Sequence, residues 1–111
     1  MATAPSYQDP GPALEEVKAI PGPLVLEFGA SWCPHCSAAQ PLMAANLAGR
    51  PRVRLIRVED GRGRPLGRSF QVKLWPTFIF LNEGQEVARL VRPATAQEIG
   101  RALDRIDLET F

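Results

Sequence analysis

An α/β domain built on one mixed central sheet of about four strands, with helices on both faces, is the fold class this sequence predicts, and three observations predict it. Short apolar runs of strand length alternate with segments of helical periodicity, which implies parallel pairing through crossover helices. A hairpin signal near the C-terminus adds antiparallel strands to the same sheet. The chain has 111 residues, of which 45% are hydrophobic, enough for one real core and too few for two.

Each element follows from local pattern. Residues 1–12 are polar and rich in proline and read as a flexible N-terminal arm, which leaves 13–111 as a single domain. Leu14, Val17 and Ile20 recur at helical spacing with Glu15, Glu16 and Lys18 between them, a short surface helix stopped by Pro21-Gly22-Pro23. Leu24-Val25-Leu26-Glu27-Phe28 is an apolar run bounded by Pro/Gly and by Gly29, as expected of a strand buried on both faces, and one acid interrupts it. Residues 37–48 are rich in Ala, Leu and Met and read as a helix, kinked at Pro41 and closed by Gly49.

Residues 53–58 form a second strand, interleaved with Arg52, Arg54 and Arg57, and a Gly- and Arg-rich loop leads to a weak helical stretch at 66–70. Residues 77–81 and 86–91 flank Asn82-Glu83-Gly84-Gln85, a hairpin whose Gly needs φ > 0. Thr95-Ala96-Gln97-Glu98 is a capping box opening a last helix, with Ile99, Ala102, Leu103 and Ile106 on one stripe.

Charge and hydropathy exclude some functions. A formal net charge of +1 gives no general attraction to nucleic acid or a membrane surface, and interleaved aromatics are missing from the basic stretch. Seven of the eleven arginines fall between Arg50 and Arg68; they are expected as solvated charge on a strand edge and loop, able to steer an acidic partner. The apolar runs are far shorter than the roughly 18 residues a membrane helix needs. The first ten residues lack a basic and then apolar leader pattern, so the chain is expected to be cytoplasmic unless a signal was removed, and monomeric.

Cys33 and Cys36 are the only two cysteines. On the first turn of a helix, residues i and i+3 bring their Cα atoms to about 5–6 Å, inside the disulfide window. A helix N-terminus also stabilises a thiolate, and Cys33, at the N-cap side, is the residue that benefits. A purely structural disulfide closing so short a loop contributes only about 2 kcal/mol on the chain-entropy model. A zinc site needs four ligands, and the chain's one histidine, His35, lies inside the same tetrapeptide, although a metal or cluster shared between two chains stays open. Ser37 after the second cysteine excludes the haem-attachment pattern. A dithiol used for exchange is the favoured reading.

Trp32-Cys33-Pro34-His35-Cys36 at a strand-to-helix junction, Pro41 five residues past the second cysteine, and Trp75-Pro76-Thr77 opening a hairpin together resemble the thioredoxin family, over residues 23–108. The resemblance implies a thioredoxin fold and a thiol–disulfide oxidoreductase acting on protein thiols and disulfides. Its redox-active Cys33–Cys36 disulfide would serve in place of any cofactor, with an unidentified reductase or oxidant as partner. The family's N-terminal strand would be the Ser6-Tyr7 region or absent. Cys33 is implied as the exposed nucleophile and Cys36 as the resolving thiol. Pro34-His35 is the dipeptide of DsbA-type oxidants, where thioredoxins typically carry Gly-Pro. An imidazole beside the thiolate is therefore expected to lift the reduction potential above about −270 mV.

Glu27 matches the acid that relays a proton to or from the resolving cysteine, and DsbA-type proteins carry Glu there. Ionising it inside an apolar strand is costly, so replacing it with Leu is expected to slow exchange while stabilising the fold. Pro76 is implied as cis, leaving the Trp75 backbone free to pair with an extended substrate; Trp32, Pro34, Trp75 and Pro76 would form the substrate-binding rim. At Val91-Arg92-Pro93 the sequence departs from the family, which shows a small Gly-containing loop there. Two other readings stand beside the enzyme: a non-catalytic thioredoxin-like binding module, and a metal- or cluster-bridged dimer through the cysteine pair.

Overall fold

Every residue of the first strand, β1 (Pro23–Gly29), is buried, and the rest of the chain is arranged around it. The computed structural model describes residues 5–108 and contains α1 (Leu14–Lys18), β1, α2 (Pro34–Leu47), β2 (Arg54–Glu59), α3 (Pro65–Ser69), β3 (Thr77–Asn82), β4 (Gln85–Val91) and α4 (Ala96–Ile106), the order predicted. The strands form one mixed sheet in the order β2-β1-β3-β4, with β1 parallel to β2 and antiparallel to β3, and β3 antiparallel to β4.

Alternation along β1 divides the core in two. Leu24, Leu26 and Phe28 pack with Ile56, Val58, Ile79 and Leu81 under Val17 of α1 and Leu66 of α3. Val25 joins Phe78 and Phe80 against Ala39 and Met43 of α2 and Ile99, Leu103 and Ile106 of α4. Helices therefore cover both faces, as expected, and burying large apolar side chains at about 1.5–3 kcal/mol each is what holds the layers together. The capping box of α4 is present, with Thr95 Oγ1 accepting from the Glu98 N–H at 3.2 Å.

Two local details set the chain's course. Glu83 and Gly84 have φ of 51° and 78°, the pair of positive values that a two-residue type I′ turn requires. A Cβ on Gly84 would run into the Lys18 carbonyl of α1, so the glycine serves close approach as well as backbone conformation. The helix α2 starts at Pro34, earlier than the composition of residues 37–48 implied, so Pro34, His35 and Cys36 form its first turn. It runs through Pro41 as one element, where the missing N–H leaves the Ser37 carbonyl without its helical partner.

Residues 5–12, read from composition as a flexible arm, lie along the edge of β2. Gln8 forms a single parallel bridge with Val58, its N–H donating to the Arg57 carbonyl at 2.8 Å and its carbonyl accepting from Glu59 at 3.0 Å. That bridge stands where the resemblance left a strand near Ser6-Tyr7 or none. Residues 1–4 of the arm and 109–111 of the domain lie outside the described residues.

The arginine-rich stretch is also not simply a solvated face. Arg57 is buried, Arg50 reaches Asp104 and Asp107 at 2.6 and 3.4 Å, and Arg64 clips Asp9 at 2.8 Å. No helix among the described residues is long and apolar enough to cross a membrane.

Candidate active site

β1 ends at Gly29, and a short loop delivers Cys33 to the N-cap of α2, with φ −87° and ψ 117°. There its Sγ accepts the Cys36 N–H at 3.2 Å, taking up one of the donors that a helix start leaves unsatisfied. Pro34 sits in the first turn, where its missing N–H costs nothing. Both thiols are free, and both are buried: Cys33 is 4% exposed and Cys36 1%. The resemblance implied an exposed Cys33. Ala30, Cys36 and Trp75 instead close around it, so the sulfur sits beneath an aromatic cover.

That cover is fixed at several points. The Trp75 indole N–H donates to Asp60 at 2.8 Å, and the Asp60 N–H in turn donates to the Gly29 carbonyl at 2.9 Å. Trp32, 70% exposed, meets Trp75 edge-on with ring centres 5.5 Å apart. The Trp75–Pro76 peptide is cis. The Trp75 carbonyl, expected to be free, already accepts from Arg92 Nε at 2.7 Å, while the Arg92 N–H donates to the Pro76 carbonyl at 3.0 Å. Pro34 and His35 are exposed at the helix start, and among the described residues His35 makes no hydrogen bond to either sulfur.

Behind Cys36 the site is polar. Glu27 is opposite Arg57 in the β1–β2 register, and the guanidinium grips its carboxylate through Nε and Nη2 at 3.1 and 3.2 Å. Tyr7 Oη donates to the same carboxylate at 2.6 Å, and the Arg57 guanidinium lies 4.0 Å over the Tyr7 ring. A buried charge with a forked partner is compensated, so the expectation that removing Glu27 stabilises the fold reverses. With side chains 1% and 9% exposed, deleting the acid alone would leave Arg57 buried without its counter-ion.

The Tyr7 hydroxyl and the Cys36 thiol crowd the same spot: a Cβ on Gly29 would meet Cys36 Sγ at 2.6 Å and Tyr7 Oη at 3.0 Å. Burial, then the hydrogen bond between the two thiols, pushes Cys36 up to about 11. Burial, followed by the hydrogen bond to Glu27, raises the Tyr7 phenol above its ordinary range, so it keeps its proton.

The structure thus brings Trp32, Cys33, Cys36, Trp75 and Pro76 together, with Glu27 behind Cys36 and His35 facing out. Sequence reasoning missed Tyr7, Arg57, Asp60 and Arg92. Only Arg57 left a signal: an acid inside an apolar strand demands a cation, and a neighbouring strand carried three arginines in or beside it.

A family model described as thioredoxin matches residues 14–105. Among solved structures, thioredoxin 2 from Pseudomonas aeruginosa PAO1, in its reduced form, is 51% identical with a TM-score of 0.82, over 92% of this chain and 94% of that one. Thioredoxin NaTrxh from Nicotiana alata is 26% identical with a TM-score of 0.70, over 84% of this chain and 81% of that one. Thioredoxin H-type 1 of Nicotiana tabacum is 32% identical over 68 residues, 61% of this chain and 54% of the relative. Against that plant relative and its counterpart in Fagopyrum esculentum, matched over 59% of its length, the chain spans little more than half of the whole.

Proposed function

The chain belongs to the thioredoxin family, and on that premise we propose that it is a thiol–disulfide oxidoreductase exchanging a Cys33–Cys36 disulfide with protein dithiols and disulfides. The observation that carries the reading is the asymmetry of the two sulfurs: Cys33 accepts the helix-start N–H at 3.2 Å, while Cys36 behind it holds its proton up to about 11. Cys33 attacks a substrate disulfide to give a mixed disulfide; Cys36 then attacks Cys33, releasing the reduced substrate and closing the intramolecular bond. The reverse sequence donates a disulfide. No cofactor beyond the cysteine pair enters either direction.

Trp32, Pro34, Trp75 and Pro76 form the surface a substrate meets, with Trp75 packed against the cysteine cluster. His35 acts on the potential from its place beside the helix start, and Glu27 on the Cys36 proton. The setting is cytoplasmic, the protein a monomer, and a reductase or oxidant of unspecified identity regenerates it.

Insulin reduction under dithiothreitol tests the enzyme reading. Wild type should precipitate the insulin B chain while Cys33→Ser is inert, and Cys36→Ala should hold substrate as a stable mixed disulfide. A wild type as inert as Cys33→Ser overturns it and leaves a binding module. A glutathione titration tests His35: the potential should lie above about −270 mV and fall in His35→Gly.

A further inference from the structure

We propose that Tyr7, from the N-terminal segment, is the link that carries the Cys36 proton to Glu27 when the mixed disulfide is resolved. The inference rests on the oxidoreductase reading above and assigns that step's proton path. Three observations place the phenol in it. Tyr7 Oη donates to Glu27 at 2.6 Å and shares the gap at Gly29 with Cys36 Sγ, the two atoms lying 3.0 and 2.6 Å from the point where a Cβ would stand, so one hydroxyl lies between the acid and the thiol. Both carboxylate oxygens of Glu27 are gripped by Arg57, and among the described residues neither bonds Cys36 directly. Gly29 supplies the space: the thiol and the phenol crowd the position where any other residue would carry a Cβ.

In the resting dithiol, Cys33 Sγ lies against the first turn of α2, where it accepts the Cys36 N–H at 3.2 Å. Once Cys33 is bonded to substrate it is a poorer acceptor, and the phenol oxygen becomes the acceptor within reach. The Cys36 S–H bond then breaks as its proton passes to Tyr7 Oη and the Tyr7 proton passes to Glu27. The freed sulfur pair forms the Cys36–Cys33 bond, and the substrate sulfur leaves with the electrons of the broken disulfide. The two cysteines lose two electrons in all, and the substrate disulfide gains them. Arg57 holds both carboxylate oxygens of Glu27 in place, so the acceptor is already oriented when the S–S bond forms. Glu27 also lines a groove of about 550 Å³ between α2 and β2, with Gln40, Met43 and Leu55, which gives the proton a way out. The titratable groups around Tyr7 are Glu27 from β1, Arg57 and Glu59 from β2 and Cys36 from α2.

The aromatic disulfide dithionitrobenzoate separates the two steps. Mixed with the reduced protein under single-turnover conditions, it releases one coloured thiolate when Cys33 attacks and a second when Cys36 resolves. Tyr7→Phe keeps the ring over Arg57 and removes only the hydroxyl. It should slow the second release by about tenfold or more near neutral pH and leave the first within about twofold. Its second-phase rate should then climb with pH toward the ionisation of Cys36 itself, whereas wild type is flatter. In a Glu27→Gln background, Tyr7→Phe should add no further loss. A second release unchanged by Tyr7→Phe, or both releases slowed alike at every pH, overturns the relay. A wild type that releases no second thiolate overturns the exchange reading and the relay with it.

Discussion

On one face of β1, Leu24, Leu26 and Phe28 meet only other apolar side chains under α1 and α3; on the opposite face, Val25 does the same under α2 and α4, but Glu27, two residues on, meets a guanidinium and a phenol. The two faces of one strand are therefore stabilised by different physics. The apolar face gains from area removed from water and tolerates changes that conserve volume. The polar end of the other face gains little net energy from its ion pair, yet depends on both partners, because either one left alone is a buried uncompensated charge.

The sharpest way to break that contrast is Glu27→Leu. It should destabilise by about 3–5 kcal/mol, and adding Arg57→Met should recover most of the loss in a urea melt, since the pair as a whole is close to neutral. If Glu27→Leu alone raises stability, the ion pair is not what holds that face. On the apolar side, Leu26→Ala should cost about 2–5 kcal/mol, and no second deletion nearby should restore it. Gly29→Ala stands at the junction of the two regimes. Its Cβ would press on Cys36 and Tyr7, with an expected loss of about 1–3 kcal/mol and disturbed thiol reactivity, read by thermal denaturation and by alkylation rate.

The smallest effect is a pH dependence confined to the polar end. Cys36 is raised from 9.0 to about 11 in the folded protein, so the native state holds a proton that the unfolded chain has already lost in that interval. Its contribution is whole below about pH 9 and is lost as pH rises through about 11. The midpoint temperature of the reduced protein should thus fall across that window more than in Cys36→Ser, whereas substitutions on the Leu26 face should leave the difference unaltered.

The same division marks what the sequence made legible. Apolar runs, the Thr95–Glu98 box, the Glu83-Gly84 turn and the spacing of the cysteines are local signals, and each element they announced is present. The polar end is not local. Glu27 meets Arg57 thirty positions away because of the β1–β2 register, and Tyr7 arrives from a stretch whose proline-rich composition says nothing of where it lies. That a cation had to answer Glu27 followed from burial; which of seven arginines would do so depended on pairing that no window of residues contains. The covered state of Cys33 is likewise a consequence of long-range contacts, Trp75 to Asp60 and Arg92 to the Trp75 carbonyl.

The Gln8 bridge has a bearing on how the protein behaves at high concentration. β2 borders the sheet, and a bare border strand offers its spare amides and carbonyls to any neighbouring molecule with a strand to add. Gln8 occupies the carbonyl of Arg57 and the amide of Glu59, and the strand begins at an exposed Arg54, a charge that discourages a second copy from adding there. A few residues at the start of the chain therefore act as a bumper that discourages edge-to-edge stacking and fibre growth, a protection that trimming the segment would remove.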